Sequence, residues 1–180
     1  MQRRRLLGAC AAAWLCAGRA IAEVSAEGIR VLAREKSLAE QFLVLLDDFG
    51  RKDVERYARG VTLYAEAKAE FDGLISALEH TLDQAQPPDQ SAAFQSALNA
   101  AVDKRVAFTD FVRNTVLPQS GATTKGIGGF IAVIPDLIKA LTDAGISIWR
   151  EYRSAGEARR KEMLEELEAL RWPAFKPRQD

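Results

Sequence analysis

Cysteine is nearly absent. The chain has two, Cys10 and Cys16, and both fall in its first sixteen residues. Histidine occurs once, at His80, and methionine twice, at Met1 and Met163. Without cysteine beyond position 16 the remaining chain has no disulfide framework and no thiolate metal site. One outward-facing histidine and one distant methionine do not make a haem ligand pair, so no cofactor and no metal are expected. Alternation of period two flanked by hairpin turns is also missing, and no strand is predicted. No apolar run reaches the ~20 uncharged residues of a membrane-spanning helix. Charge of one sign is lacking as well: 25 basic side chains face 25 acidic ones, which excludes a polybasic nucleic-acid arm. A 48% hydrophobic composition excludes a disordered chain.

Motifs of catalysis are missing too. Neither Gly-x-Ser-x-Gly nor His-Glu-x-x-His occurs. The glycine-rich stretch from Gly121 to Gly129 places Lys125 between Thr124 and Gly126. A phosphate loop needs Gly-Lys-Ser/Thr in that order. The carboxylates Glu35, Glu40, Asp47, Asp48, Glu66, Glu70 and Asp72 read as solvated helix faces. No enzyme is expected.

What is present begins with an export signal. Arg3, Arg4 and Arg5 form a basic start, Leu6 to Ala17 a short apolar run, and Ala20-Ile21-Ala22 a small-residue cleavage site. Cleavage after Ala22 is predicted, giving a periplasmic or secreted protein. Lipid anchoring through Cys10 is disfavoured, because only two apolar residues separate Arg5 from Gly8. Cleavage removes four arginines and no acid, leaving a net charge of −4. Residues 1–22 are the signal, 23–172 one domain and 173–180 a short tail.

The mature chain reads as helices. Val54, Tyr57, Val61, Tyr64, Lys68, Phe71, Ile75, Leu78 and Leu82 alternate spacings of three and four, which aligns them on one stripe. Asp53 is its predicted N-cap, and Pro87-Pro88 forbids continuation. A helix over 37–49 precedes it, ended by Gly50, with a weaker helical segment over 24–35. A third starts at Asp89 or Ser91, continues through Phe94, Leu98, Val102, Phe108, Val112 and Val116, and stops at Pro118. A fourth starts near Ile127 and runs toward Leu170. The fold class is therefore all-α, an elongated antiparallel up-down bundle of about four main helices with a charged C-terminal helical arm. Lys68 and Arg105 interrupt apolar stripes at one level of the hairpin, with Glu66, Glu70, Asp103 or Asp110 as neutralising neighbours. A polar layer fixing the register of the bundle is one reading, and long side chains reaching out from the core edge are the expected one.

These residues suggest a protein-binding or adaptor module with an unidentified protein partner. Candidate contacts are Phe130, Ile131 and Trp149 on the apolar segment 126–149 and Tyr152 just past it, with Leu167, Trp172 and Phe175 on the arm. The apolar tail Trp172 to Phe175 either folds back onto the bundle or is offered to that partner; if the arm is the contact, Trp172→Ala or Leu167→Asp abolishes complex formation without unfolding the domain. The second choice is a membrane-active bundle that lays 126–149 at a lipid interface.

Overall fold

The computed structural model describes residues 6–120 and 134–176, with side chains placed at 27–119 and 136–176. Among the described residues the chain is all-helical, and its helices pack as a bundle. Helix α1 spans Leu6–Gly50, α2 Val54–Leu82, α3 Ala92–Phe111, α4 Leu117–Ser120, α5 Ile134–Ser154 and α6 Glu157–Ala169.

Local chemistry sets most of the boundaries. Asp53 caps α2 by accepting from the Arg56 amide at 3.0 Å. Ser91 caps α3 by accepting from the Phe94 amide at 3.3 Å. Each satisfies one of the donors that a helix start leaves open. Between them Pro88–Gln90 form a single 3-10 turn, and the hairpin closes tightly enough for Lys104 to reach Glu66 at 2.7 Å. The interior of the bundle is built from Phe42, Leu46, Tyr64, Phe71, Ile75, Leu98 and Phe108, all under 5% exposed. Phe108 meets Phe42 and Tyr64 edge-on at 5.8 and 5.4 Å between ring centroids, a favoured aromatic geometry.

Several boundaries differ from the sequence expectation. The segments over 24–35 and 37–49 are one uninterrupted helix, because nothing between them breaks the backbone ladder. Pro118 does not stop the third helix. A π-turn over Val112–Val116 precedes it, in which the Leu117 amide bonds to the Val112 carbonyl, and α4 continues beyond. In a regular α-turn the ring at 118 presses on the carbonyl of Asn114, and the wider turn opens that space. The predicted start at Ile127 lies outside the described residues; α5 is described from Ile134, with Pro135 in its first turn, where a missing amide costs nothing. The helix expected to reach Leu170 breaks once, at Ala155-Gly156.

Two charge assignments are corrected. Glu35 is not on a solvated face. It is 6% exposed, and Arg105, at 5%, donates to it from Nε at 3.1 Å. Arg105 therefore does not reach outward; it bridges α3 to α1 inside the bundle. Lys68 is neutralised by Asp72 one turn along its own helix, and Glu66 serves Lys104 instead. The pairing at the centre of the bundle thus comes from α1, which the hairpin argument had not included.

Candidate functional site

The helices α1 and α5 lie side by side and leave a groove of about 500 Å³ between them. Its walls are Glu27, Gly28 and Val31 from α1, with Ala140, Asp143, Ala144 and Ser147 from α5. Small side chains make this close approach feasible. A Cβ on Gly28 would stand 2.8 Å from the Ala144 carbonyl oxygen and 3.0 Å from Ile148 Cγ1, so any larger residue drives the helices apart. The two carboxylates at the rim are answered within their own helices, Glu27 by Arg30 at 3.3 Å and Asp143 by Lys139. What the groove offers is a mainly uncharged trough rimmed by self-paired ions, suited to an apolar side chain or a helix ridge.

The sequence-predicted contact residues do not form one surface. Phe130 and Ile131 lie outside the described residues. Trp149 is half-buried, donates from its indole nitrogen to the Gln84 carbonyl at 3.3 Å, and carries the Arg153 guanidinium 5.9 Å from its ring centroid. Tyr152 is buried and donates to Asp83 at 3.0 Å. Together they fasten the end of α5 to the turn after α2.

The arm takes the first of its two expected placements and folds back onto the bundle. Leu167 and Trp172 are core residues, along with Met163 and Leu170, because α6 lies back against the bundle and covers its own apolar seam. Trp172 is stacked between Tyr64 and Phe71, with ring centroids 5.9 and 5.0 Å away. Phe175, half-buried, meets Tyr57 edge-on at 6.1 Å, so the tail expected from position 173 is docked at least to there. Arg171 reaches the Asp72 carbonyl at 2.9 Å, Ser76 Oγ at 3.1 Å and Glu79 at 3.1 Å. The Trp172 amide donates to Asp72 Oδ1 at 3.1 Å, and Tyr64 donates to the Pro173 carbonyl at 2.6 Å. The arm is a strap clasped to α2.

His80 is exposed, and among the described residues no three His, Cys, Asp or Glu side chains converge as a metal site. No helix of the described residues is long and apolar enough to cross a membrane. The groove was the element that sequence reasoning missed. Its signal was the run of small residues at Ala140, Ala144 and Ser147, one and two turns apart, overshadowed by the bulkier Ile146, Ile148 and Trp149 beside them.

All three tyrosines hold their protons more tightly than a free phenol. Burial is the first cause in each: at Tyr64 the charges of Asp72 and Glu40 add to it, at Tyr152 the bond to Asp83, and at Tyr57 the charge of Asp47. Their folded-state values lie above the unfolded value of about 10. The stability this represents is complete below pH ~10 and is lost as pH rises, since the unfolded chain gives up the protons first. Alkaline titration followed at the phenolate absorbance is expected to show no free-tyrosine step. All three phenolates should form above the free-tyrosine range; phenolates formed near pH 10 in a still-folded protein would contradict this.

Compared with protein-family models, with curated proteins and with solved structures, the chain matches none.

Proposed function

We propose that this chain is an exported, non-catalytic helical-bundle protein that acts by binding another protein, with the face formed by α1 and α5 as its contact surface. The observation that carries this reading is the groove between those helices. It is apolar at its base, and its rim ions are already paired within their own helices. The strap cannot serve instead, since its aromatic residues are used in the core. Export is supported by helix lengths. At 1.5 Å per residue α1 is roughly 67 Å long and α2 roughly 43 Å, whereas the part of α1 left after cleavage at Ala22, residues 23–50, is roughly 42 Å. The trimmed helix matches its neighbour.

The lipid-facing alternative has less support. Trp149, its natural anchor, already has its indole donor bonded to Gln84 and its ring covered by Arg153.

The test is a photo-crosslinking residue placed at Ala140 in the groove, with exposed Ala65 on α2 as control, in the processed protein within its own host. One protein trapped from position 140 and not from 65 is the expected result. No product at 140, or the same products from both positions, overturns the assignment of this face.

A further inference from the structure

The joint between α5 and α6 is held by unusual means. The Ala155 amide still bonds back to Glu151 at 2.8 Å, but Gly156 leaves the helix with φ −72° and ψ 166°, and α6 begins from its carbonyl. Two carbonyls at the end of α5 that lack their regular helical donors accept from one side chain, the Tyr152 carbonyl taking a longer bond from the Ala155 amide at 3.3 Å as well. Arg160 donates from Nε to the Tyr152 carbonyl at 2.9 Å and from Nη2 to the Arg153 carbonyl at 3.2 Å, with its guanidinium 5.4 Å from the Tyr152 ring centroid. In an uninterrupted helix those two carbonyls accept from the amides of Gly156 and Glu157. A bent joint and a straight one therefore satisfy the same acceptors with different donors. The apolar spacing also runs through the joint, from Ile148 and Tyr152 to Met163, Leu167 and Leu170, at intervals a single helix would keep.

Past the joint the chain doubles back along α2. Tyr152 meets Asp83, Arg171 meets Glu79, Ser76 and Asp72, Pro173 meets Tyr64, and Phe175 meets Tyr57. The surface of α2 from Tyr64 to Glu79 is thus a formed receptor for an Arg-Trp-Pro segment, specific in its cation site, its aromatic slot and its carbonyl contact. It recognises that segment whichever chain supplies it.

The geometry points to a reciprocal exchange between two copies of this chain. The joint straightens at Gly156, and each copy seats its strap on the α2 surface of the other. The occupant is a second copy because the receptor is cut to this chain's own sequence. Exchange also closes a two-fold dimer in which every strap contact is retained and only the joints differ. Glycine weights the joint toward the bent form, since it is a poor residue for a helix interior.

The experiment uses the signal-processed protein, refolded at high concentration and measured by light scattering after size exclusion. Gly156→Ala removes about a five-fold penalty at each of two joints and is expected to raise the dimerisation constant roughly thirty-fold. Gly156→Pro fits the observed φ but places a ring against the Tyr152 carbonyl in any straight helix, and is expected to remain monomeric. A mixture of isotopically heavy and light Gly156→Ala chains, refolded together and crosslinked through Lys36 on α1 and Lys161 on α6, identifies the dimer. Exchange gives mixed-isotope Lys36–Lys161 pairs. Three results overturn the proposal: a Gly156→Ala protein as monomeric as the parent, a Gly156→Pro protein that dimerises equally, or a dimer whose Lys36–Lys161 pairs are all of one isotope.

Discussion

Arg105→Met is expected to cost about 3–5 kcal/mol, the range for removing one partner of a buried ion pair. The substitution keeps the length of the side chain and most of its volume, so little of the loss is packing. It leaves the Glu35 carboxylate, 6% exposed, without the donor that stands 3.1 Å away. In a domain of this size about 1 kcal/mol moves the melting temperature by roughly 2–4 °C, so a fall of about 10 °C is expected. The double variant Glu35→Leu/Arg105→Met should recover most of it, because a well-packed apolar pair often equals a buried ionic one. Thermal and urea unfolding of the single and double variants check both statements. A single variant within 1 kcal/mol of the parent, or a double variant no better than the single, would remove the ion pair as the reason α1 and α3 meet at this level.

Trp172→Ala is expected to cost about as much, roughly 3–5 kcal/mol, as for other buried large aromatics. The indole fills the slot between Tyr64 and Phe71, and its loss leaves the strap between Leu170 and Phe175 held mainly by the polar contacts of Arg171 and Pro173. Tryptic cleavage at Arg171 should then accelerate along with global destabilisation. This reverses the expectation drawn from the sequence, in which the same substitution spared the fold. Trp172→Phe separates the ring from its nitrogen. Among the described residues Trp172 Nε1 is buried without a hydrogen-bond partner, and an unsatisfied buried donor costs about 1–3 kcal/mol. Phenylalanine forfeits volume but removes that penalty, so it should lose less than half of what alanine loses. Equal losses would mean the indole nitrogen is not a burden in the fold.

Much of the bundle was readable from spacing and caps. The stripe from Tyr64 to Leu82 points inward as its three-and-four spacing requires, and Asp53 and Ser91 cap the helices they precede. These are local properties, fixed by residues within one or two turns of each other. What escaped reading depends on distant residues. Glu35 looks like any surface carboxylate until Arg105, 70 positions away, is brought against it. The break at Gly156 depends on Arg160 reaching back over a turn, which no periodicity reveals. The groove depends on Gly28 and Ala144 being small at one point of contact, and a small residue carries no hydrophobic signal of its own. Val54 opens the predicted stripe yet is 75% exposed, because the stripe extends beyond the layer that covers it.

The strap sets an order on the folding reaction. The α2–α3 hairpin closes over 38 residues at Lys104–Glu66, whereas Lys36 meets the Ala169 carbonyl across 133. Loop-closure entropy separates these by only about 1 kcal/mol, so length alone does not forbid late assembly. Availability does. The seat of the first helix is completed by residues near the end of the chain, and the slot on α2 stays open until Trp172 arrives. A polypeptide released segment by segment can form its central hairpin early, but its hydrophobic interior closes only when the residues from Met163 to Phe175 have emerged.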